Sequence, residues 1–170
     1  MTTSTTDSAA ENMVITNVYR VFIESTPERV WEAITDPEWN DKYAYRARSN
    51  YDLRPGGAYV VDVTPEMAVH GAPDVIIDGE VLECDPPTRL VQTWHAYFDP
   101  ATAAEPPTRL TWELRDVGNG MTELTLTHEL ENAPVTAAIT SGQVQDAGGG
   151  FAWILSDLKT LLETGRAMGS

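Results

Sequence analysis

The sequence predicts an α+β protein in which one antiparallel sheet packs against a long C-terminal helix. Segments rich in β-branched and aromatic residues follow one another through most of the chain, separated by short turns of Gly, Pro and Asn, which is typical of an antiparallel meander. Near the end the pattern changes, and Phe151, Leu155, Leu158 and Leu162 have the spacing of one apolar helical stripe. A single sheet must bury its apolar face, and this final helix is the obvious cover.

The predicted domain opens with a strand and two short helices. Residues 13–23 are rich in β-branched and aromatic side chains and are predicted as the strand. Thr26 suits the N-cap of a helix and Pro27 suits its first turn. The next proline, Pro37, ends this helix, and a second short helical segment is predicted over residues 38–43.

Six more strands are predicted in succession, and a helix closes the chain. The strands are residues 48–53, 58–63, 75–84, 89–98, 108–116 and 121–130. The Asn-Gly pair at 119–120 favours a tight hairpin, whereas residues 64–74 and 99–107 are predicted as loops. The start of the closing helix is less defined. Asp146 is a candidate cap, but the glycines at 148–150 would weaken a first turn by about 1 kcal/mol each.

Length and charge narrow the class of function. The 170 residues suffice for one domain with its own core, and we expect a disordered tail over residues 1–12 followed by a single domain over residues 13–166. Eleven basic residues against 26 acidic ones give a net charge of −15 at pH 7. That balance argues against nucleic acids as partners, because they need clustered Lys and Arg, and against anionic membrane surfaces.

No sequence motif for a metal, a nucleotide or a catalytic nucleophile is found. The three histidines and the one cysteine, Cys84, do not have the spacing of metal ligands. Neither a nucleophile elbow nor a phosphate-binding glycine loop occurs. No apolar run approaches the ~18 residues of a membrane span, and no secretory signal is recognised. We therefore expect a cytoplasmic protein with no cofactor, no metal and no intrachain disulfide.

Four segments of the chain resemble one known family. They are TPERVWEAITDP at 26–37, RPGG at 54–57, GEVLECDPPTRLVQTW at 79–94, and the closing helix at 149–165. Their order and spacing make the sequence similar to the START-like (SRPBCC) superfamily, and within it to the homologues of the activator of the Hsp90 ATPase. The chain departs from this family in its closing helix, where Phe151 stands at the usual Trp and Trp153 follows two residues later.

The resemblance implies a helix-grip fold. In this fold a curved antiparallel sheet of about six to seven strands wraps around a long C-terminal helix, with two short helices after the first strand. A cavity commonly lies between sheet and helix. The superfamily includes lipid carriers, hormone receptors and aromatase/cyclases, so the fold alone does not assign a function.

Aromatic residues are numerous for a small sheet-and-helix protein, and they either fill a core or line a pocket for an apolar ligand. The candidates for ligand-binding residues come from the strands and the closing helix: Tyr59, Trp94, Trp112, His128 and Phe151.

Among the polar residues, His128 is expected to share a face with Leu124 and Leu126 because side chains alternate along a strand. It is either a structural histidine whose ring nitrogens are hydrogen-bonded within the protein or an acid/base group in the cavity. His95, which shares a face with Tyr97, is the second acid/base candidate.

Three further polar residues carry weaker expectations. His70 lies in a Gly/Pro loop and is expected to be exposed. Glu80 and Arg109 are weaker candidates for the cavity wall, because an inward-facing charge needs a partner.

Three hypotheses of function follow. The first is a protein that binds a small hydrophobic or aromatic molecule in a cavity between sheet and helix. The second is an enzyme of the cyclase or hydrolase type that uses His128 or His95 as acid/base. The third is an interaction module like the chaperone ATPase activator, with a chaperone as partner. A homodimer is compatible with the sequence, but no feature requires one.

Overall fold

The computed structural model describes residues 12–169, so residues 1–11 of the predicted tail lie outside the described residues. Strands and helices follow one another in this order: β1 (Val14–Ile23), α1 (Pro27–Thr35), α2 (Pro37–Asn40), β2 (Ser49–Tyr51), β3 (Ala58–Asp62), α3 (Pro65–Val69), β4 (Val75–Asp85), β5 (Arg89–Ala96), α4 (Pro100–Ala104), β6 (Thr108–Gly118), β7 (Met121–Glu131), α5 (Pro134–Thr140) and α6 (Gly150–Thr164).

The seven strands form one antiparallel sheet in the order β1-β7-β6-β5-β4-β3-β2. From β2 to β7 each strand pairs with the next strand in the chain, as a meander requires. β1 instead pairs with β7, from Val14 opposite Glu131 to Ile23 opposite Thr122. The predicted α+β class, with one antiparallel sheet and a closing helix, is confirmed.

The core lies between the sheet and α6. Leu110 and Leu114 on β6 and Leu124 and Leu126 on β7 are buried at alternate positions, so one face of these strands is apolar, as period-2 patterning requires. The predicted stripe on α6 is buried against that face, and α1 packs beside it against β6.

The predicted start of α1 is confirmed. Thr26 is the N-cap, and its hydroxyl oxygen accepts a hydrogen bond from the Arg29 N–H at 3.3 Å. Pro27 occupies the first turn, where its missing N–H costs nothing. The second short helix is α2 over Pro37–Asn40 and is shorter than the predicted 38–43.

Both predicted loops contain a short helix, so the loop prediction was wrong for α3 and α4. Thr64 caps α3 by accepting from the Met67 N–H at 3.2 Å, and Asp99 caps α4 by accepting from the Thr102 N–H at 2.8 Å. Each cap is followed by a proline, which is the signal that predicted α1. Each helix has only five residues, which is too short for an apolar stripe, so periodicity did not indicate a helix in either segment.

The start of α6 also differs from the prediction. Its N-cap is Gly149, with no side-chain cap, rather than Asp146. The helix α5 before it was not predicted at all. No side chain of its own N-cap, Ala133, caps it. The Glu105 carboxylate, distant in sequence, accepts from the Val135 and Thr136 N–H groups at 2.7 and 2.9 Å.

No helix within residues 12–169 has the length and apolar character needed to cross a membrane.

Candidate functional site

A large cavity of about 450 Å³ lies between the sheet and the start of α6. Its lining is mainly apolar and comes from β3, β4, β5, α3, α5, α6 and the loops between them: Tyr45, Ala47, Val61, Met67, Ile76, Ile77, Trp94, Phe98, Asp99, Ile139, Thr140, Ala147, Gly150, Phe151 and Ile154. Sites for small molecules have volumes of roughly 300–1,000 Å³ and mostly apolar walls, so this cavity is in the range of a ligand site.

A small cavity of about 120 Å³ adjoins the large one. The two share the walls made by Trp94, Phe151 and Ile154, among other residues. The small cavity is richer in aromatic and polar side chains, and those found only in its wall are Asn40, Tyr43, Arg46, Ser49, Tyr51, Tyr59 and Trp112. The interior therefore offers one mainly apolar space and one space with polar groups.

Four of the five predicted ligand-binding residues lie in these walls. Trp94 and Phe151 line both cavities, and Tyr59 and Trp112 line the small one. All four are 8% exposed or less. They meet here because β3, β5, β6 and α6 present them to the same interior space.

His128, the fifth predicted residue, is fully buried and lines neither cavity. Its ring lies edge-on behind Trp94 and Phe151, with ring centroids 5.6 and 5.4 Å away. Thr108 Oγ1 lies 2.7 Å from Nε2 and Thr140 Oγ1 lies 3.4 Å from Nδ1. Burial lowers the pKa of His128 to about 3, because desolvation penalises the charged imidazolium. It is thus a neutral, hydrogen-bonded core histidine.

The other polar candidates also lie outside the cavities. His95 is on β5, and its ring centroid lies 4.5 Å from that of Tyr97, as expected for two residues that share a face. Helix α4 covers this histidine, whose Nε2 lies 3.2 Å from the Ala103 carbonyl oxygen. His70 is exposed, as predicted. Glu80 is exposed, and Arg109 pairs with a glutamate of β7 on the outer surface. The expectation that either charge faces inward was wrong.

The loop between α2 and β2 supplies cavity walls that were not predicted from the sequence. Tyr45 and Ala47 line both cavities, and Ala44 adopts a positive φ of 54°. Asp157 of α6, which is 2% exposed, holds this loop by accepting from the Ala44 N–H at 2.6 Å. It also accepts from the Met168 N–H at 2.6 Å. An acidic residue within the apolar face of the closing helix was the feature of the sequence that could have indicated this contact, because a buried carboxylate needs hydrogen-bond donors.

Three tyrosines in the wall of the small cavity have perturbed pKa values. Burial raises the pKa of Tyr43, Tyr51 and Tyr59 above the ordinary value, because the phenolate loses its hydration. Their hydroxyls therefore remain protonated. Tyr51 and Tyr59 also stack, with ring centroids 4.5 Å apart, and form one aromatic wall.

Trp112 carries the one buried side-chain nitrogen or oxygen within residues 12–169 that has no hydrogen-bond partner. This atom is the indole Nε1. Trp112 belongs to the lining of the small cavity, but this nitrogen itself has almost no accessible surface. No group of three or more His, Cys, Asp or Glu side chains within these residues is arranged to hold a metal ion.

Comparison with solved structures finds the same fold in several proteins of low sequence identity. CalU16 from Micromonospora echinospora is 22% identical, covering 91% of this chain and 69% of its own, with a TM-score of 0.63. The Aha1 dimer from Colwellia psychrerythraea is 18% identical, covering 90% and 99%, with a TM-score of 0.63. PFC0360w, an HSP90 activator from Plasmodium falciparum, is 21% identical, covering 89% and 95%, with a TM-score of 0.55.

These likenesses establish the fold. No curated protein matches the sequence. Among protein families, the one described as "Activator of Hsp90 ATPase homolog 1-like protein" matches residues 24–163. Because that match spans most of the chain, the protein belongs to the family of activator of Hsp90 ATPase homologue 1-like proteins.

Proposed function

We propose that this protein binds a small hydrophobic or aromatic molecule between its sheet and α6. The observation that carries the proposal is the large cavity of about 450 Å³ with its mainly apolar walls. Protein interiors are close-packed, and their voids are few and small. A dry apolar cavity of about 150 Å³ is already enough to bind benzene. The large cavity is three times that size and opens to solvent beside Tyr45 and Phe98, so a small apolar molecule could both enter it and fit against its walls.

The composition of the walls supports an apolar occupant. Asp99 is the one charged residue of the large cavity, and its carboxylate is already used to cap α4. Thr140 is the other polar side chain there besides Tyr45, and its hydroxyl donates to the Thr136 carbonyl at 2.9 Å. Binding would thus be driven by burial of apolar surface, at roughly 25 cal/mol per Å².

A neutral fluorescent probe tests the proposal. We expect N-phenyl-1-naphthylamine to bind one-to-one with a Kd on the order of 10 µM, from roughly 0.3–0.5 kcal/mol per non-hydrogen atom. Ala47→Phe places a ring in the wall shared by both cavities and should weaken binding at least tenfold. Ala152→Phe makes the same change at an exposed position of α6 and should leave the affinity unchanged.

Two results would contradict the proposal. One is a folded Ala47→Phe variant that binds the probe as tightly as the unmodified protein. The other comes from native mass spectrometry of protein purified from its own host. A mass with no bound molecule, and no gain after incubation with a lipid and aromatic metabolite extract, would argue against a ligand-binding protein. A bound mass that is lost on denaturation would support the proposal and give the mass of the ligand.

Interaction with a chaperone is the second candidate function, because the family is named for an Hsp90 activator and one structural neighbour is titled an HSP90 activator. Stimulation of the host Hsp90 ATPase by the purified chain would support it. The enzyme hypothesis has less support, since none of His70, His95 and His128 lines either cavity. A cytoplasmic location remains part of the proposal and rests on the sequence alone.

A further inference from the structure

We propose that β1 is a self-association surface. Its free edge, the side that does not pair with β7, pairs antiparallel with the free edge of β1 in a second copy of the chain, about a two-fold axis at Val18. The two sheets then form one continuous sheet. The inference goes beyond the proposed function and is independent of it, because no residue of β1 is in the lining of either cavity.

β1 is a long and regular edge strand. It is the first strand in the order of the sheet and pairs on one side only, with β7. Natural edge strands prevent further pairing by being short or by carrying Pro, Lys or a bulge. β1 has ten residues, Val14–Ile23, with no Pro or Lys and no shift of register. The opposite edge strand, β2, has only three residues, Ser49–Tyr51. β1 is therefore the edge suited to pairing.

The backbone of β1 presents donors and acceptors along this edge. The Asn132 N–H donates to the Met13 carbonyl at 2.8 Å, so residue 13 directs its backbone groups towards β7. Because that direction alternates along an antiparallel strand, the even-numbered residues from Val14 to Phe22 direct theirs away from β7. The Phe22 carbonyl agrees with this, since it accepts from Lys159 Nζ of α6 at 2.6 Å.

The same even-numbered residues form an apolar row on the outer face of the sheet. Val14 is 64% exposed, Val18 57% and Phe22 45%. Thr16 and Arg20 lie between them and are also exposed, whereas the residues in between face the core side. An open edge with exposed apolar side chains is a template for pairing with another chain.

A second copy of β1 fits this row when the pairing is centred on Val18. Val18 then faces its own counterpart, and Val14 faces Phe22 of the second copy, so apolar side chains meet apolar side chains. Thr16 faces Arg20. Centring the pair on Arg20 would instead place two arginines opposite each other, which is unfavourable. The Val18 register forms about ten backbone hydrogen bonds, a number typical of protein interfaces.

Charge complementarity also favours a second copy. Thr16 lies opposite Glu129 of β7 in its own chain. In the Val18 register, Arg20 of one copy is in the same cross-strand row as Thr16 and Glu129 of the other. Neighbouring strands are about 4.8 Å apart, so the Cα atoms of Arg20 and that Glu129 are about 10 Å apart, within reach of the two side chains. The two-fold axis forms this ion pair twice.

Sedimentation equilibrium of the full chain in 150 mM NaCl tests the inference. We expect a monomer–dimer equilibrium with a Kd on the order of 10–100 µM, because an interface made by one pair of strands is small. Val18→Lys places two like charges opposite each other on the axis and should raise this Kd at least tenfold. Leu82→Lys is the matched control. It puts the same charge at an apolar position that is 37% exposed on β4, within the sheet, and should leave the Kd unchanged.

Amide hydrogen exchange of the unmodified protein gives a second readout that needs no variant. The N–H groups of Thr16 and Val18 should exchange more slowly as the protein concentration is raised through the Kd. The N–H of Ile15 faces β7 and should be protected at every concentration.

Three results would overturn the inference. One is a monomer at every concentration up to about ten times the expected Kd, at which most of the chain would be dimeric. Another is a dimer that is equally stable in Val18→Lys, because a different surface would then hold it. The third is protection of Thr16 and Val18 that does not depend on concentration, which would assign the free edge to residues 1–11 of the same chain. None of these results bears on ligand binding in the cavities.

Discussion

His128 shows how a single buried side chain links the fold to pH. Its neighbours are two threonine hydroxyls and two aromatic rings, and none of these groups is charged. Desolvation therefore lowers its pKa to about 3, whereas a histidine in the unfolded chain titrates near 6.5. Between these two values the unfolded chain binds a proton that the folded protein does not bind. The free energy of unfolding must accordingly rise with pH across this window and fall as the pH is lowered through it.

We expect His128 to make the free energy of unfolding about 2 kcal/mol lower at pH 5 than at pH 7.5, since one pKa unit corresponds to about 1.4 kcal/mol. Urea unfolding of the protein and of His128→Gln at both pH values measures the effect. The stability advantage of the unmodified protein over His128→Gln should be about 2 kcal/mol smaller at pH 5 than at pH 7.5. Contributions from carboxylates cancel, because both proteins contain the same carboxylates. If the stability difference between the two proteins is the same at both pH values, the imidazole is protonated at pH 5 in the folded state as it is in the unfolded chain.

The residues of the site were predictable to the extent that large aromatic side chains on strands tend to lie inside. Tyr59, Trp94 and Trp112 were expected at the cavity wall on that ground, and all three line the small cavity. Alternation along β7 placed His128 on the inward face but could not show that Trp94 and Phe151 lie in front of it. That depends on the packing of α6 against the sheet, and no periodicity within one strand contains it.

Helix α6 begins at a glycine because it crosses the end of α5 at backbone distance. Gly150 has a φ of +64°, and a Cβ added there would lie 2.1 Å from the Thr140 carbonyl oxygen. The glycines at 148–150 were expected to weaken the first turn of this helix. The close contact shows why the cost is accepted at position 150. The same crossing places Ile139, Thr140 and Phe151 in the wall of the large cavity.

Gly150→Ala should therefore lower the free energy of unfolding by about 2–5 kcal/mol, from the sum of a backbone clash and an unfavourable positive φ. Gly165→Ala is the matched control. It has a φ of +78° at the other end of α6, but nothing lies within 4 Å of its added Cβ. The control should lose only about 1–2 kcal/mol. Equal losses in urea unfolding would show that backbone strain alone, and no contact with α5, requires glycine at position 150.

Short helices were the least predictable elements, for two different physical reasons. α3 and α4 carry local caps at Thr64 and Asp99, so a reading based on caps rather than periodicity would have found them. α5 has no local cap, and Glu105 caps it from a distant part of the chain. Only the folded structure brings that carboxylate to the helix, so the local sequence offered Pro134 in the first turn but no capping residue to go with it.

At the scale of the whole molecule, charged side chains are almost absent from the cavity walls. Of the side chains lining the two cavities, only Arg46 and Asp99 are charged, so nearly all of the net charge of −15 lies elsewhere. The topology of the meander followed from short turns between consecutive strands. The pairing of β1 with β7, from Val14 to Ile23, joins segments far apart in the chain, and no turn signal could predict it.

The charge distribution leads to a prediction about salt. The ion pairs within residues 12–169 each include at least one well-exposed side chain, as in Arg48–Asp41 and Arg115–Glu123, and such pairs contribute about 0–1 kcal/mol. Repulsion within a chain of net charge −15 opposes the compact state and is screened by salt. We therefore expect repulsion to dominate, and the Tm at pH 7.5 to rise on the order of 3–6 °C between 10 and 200 mM NaCl, equivalent to about 1–2 kcal/mol.

Choline chloride at the same ionic strength should produce the same rise, because screening depends on ionic strength and not on the identity of the cation. Sucrose at matched osmolality should produce little change and controls for effects of excluded solute. A Tm that falls with NaCl would mean that the attractive pairs outweigh the repulsion. A rise with NaCl but none with choline chloride would instead indicate a specific sodium site on the acidic surface.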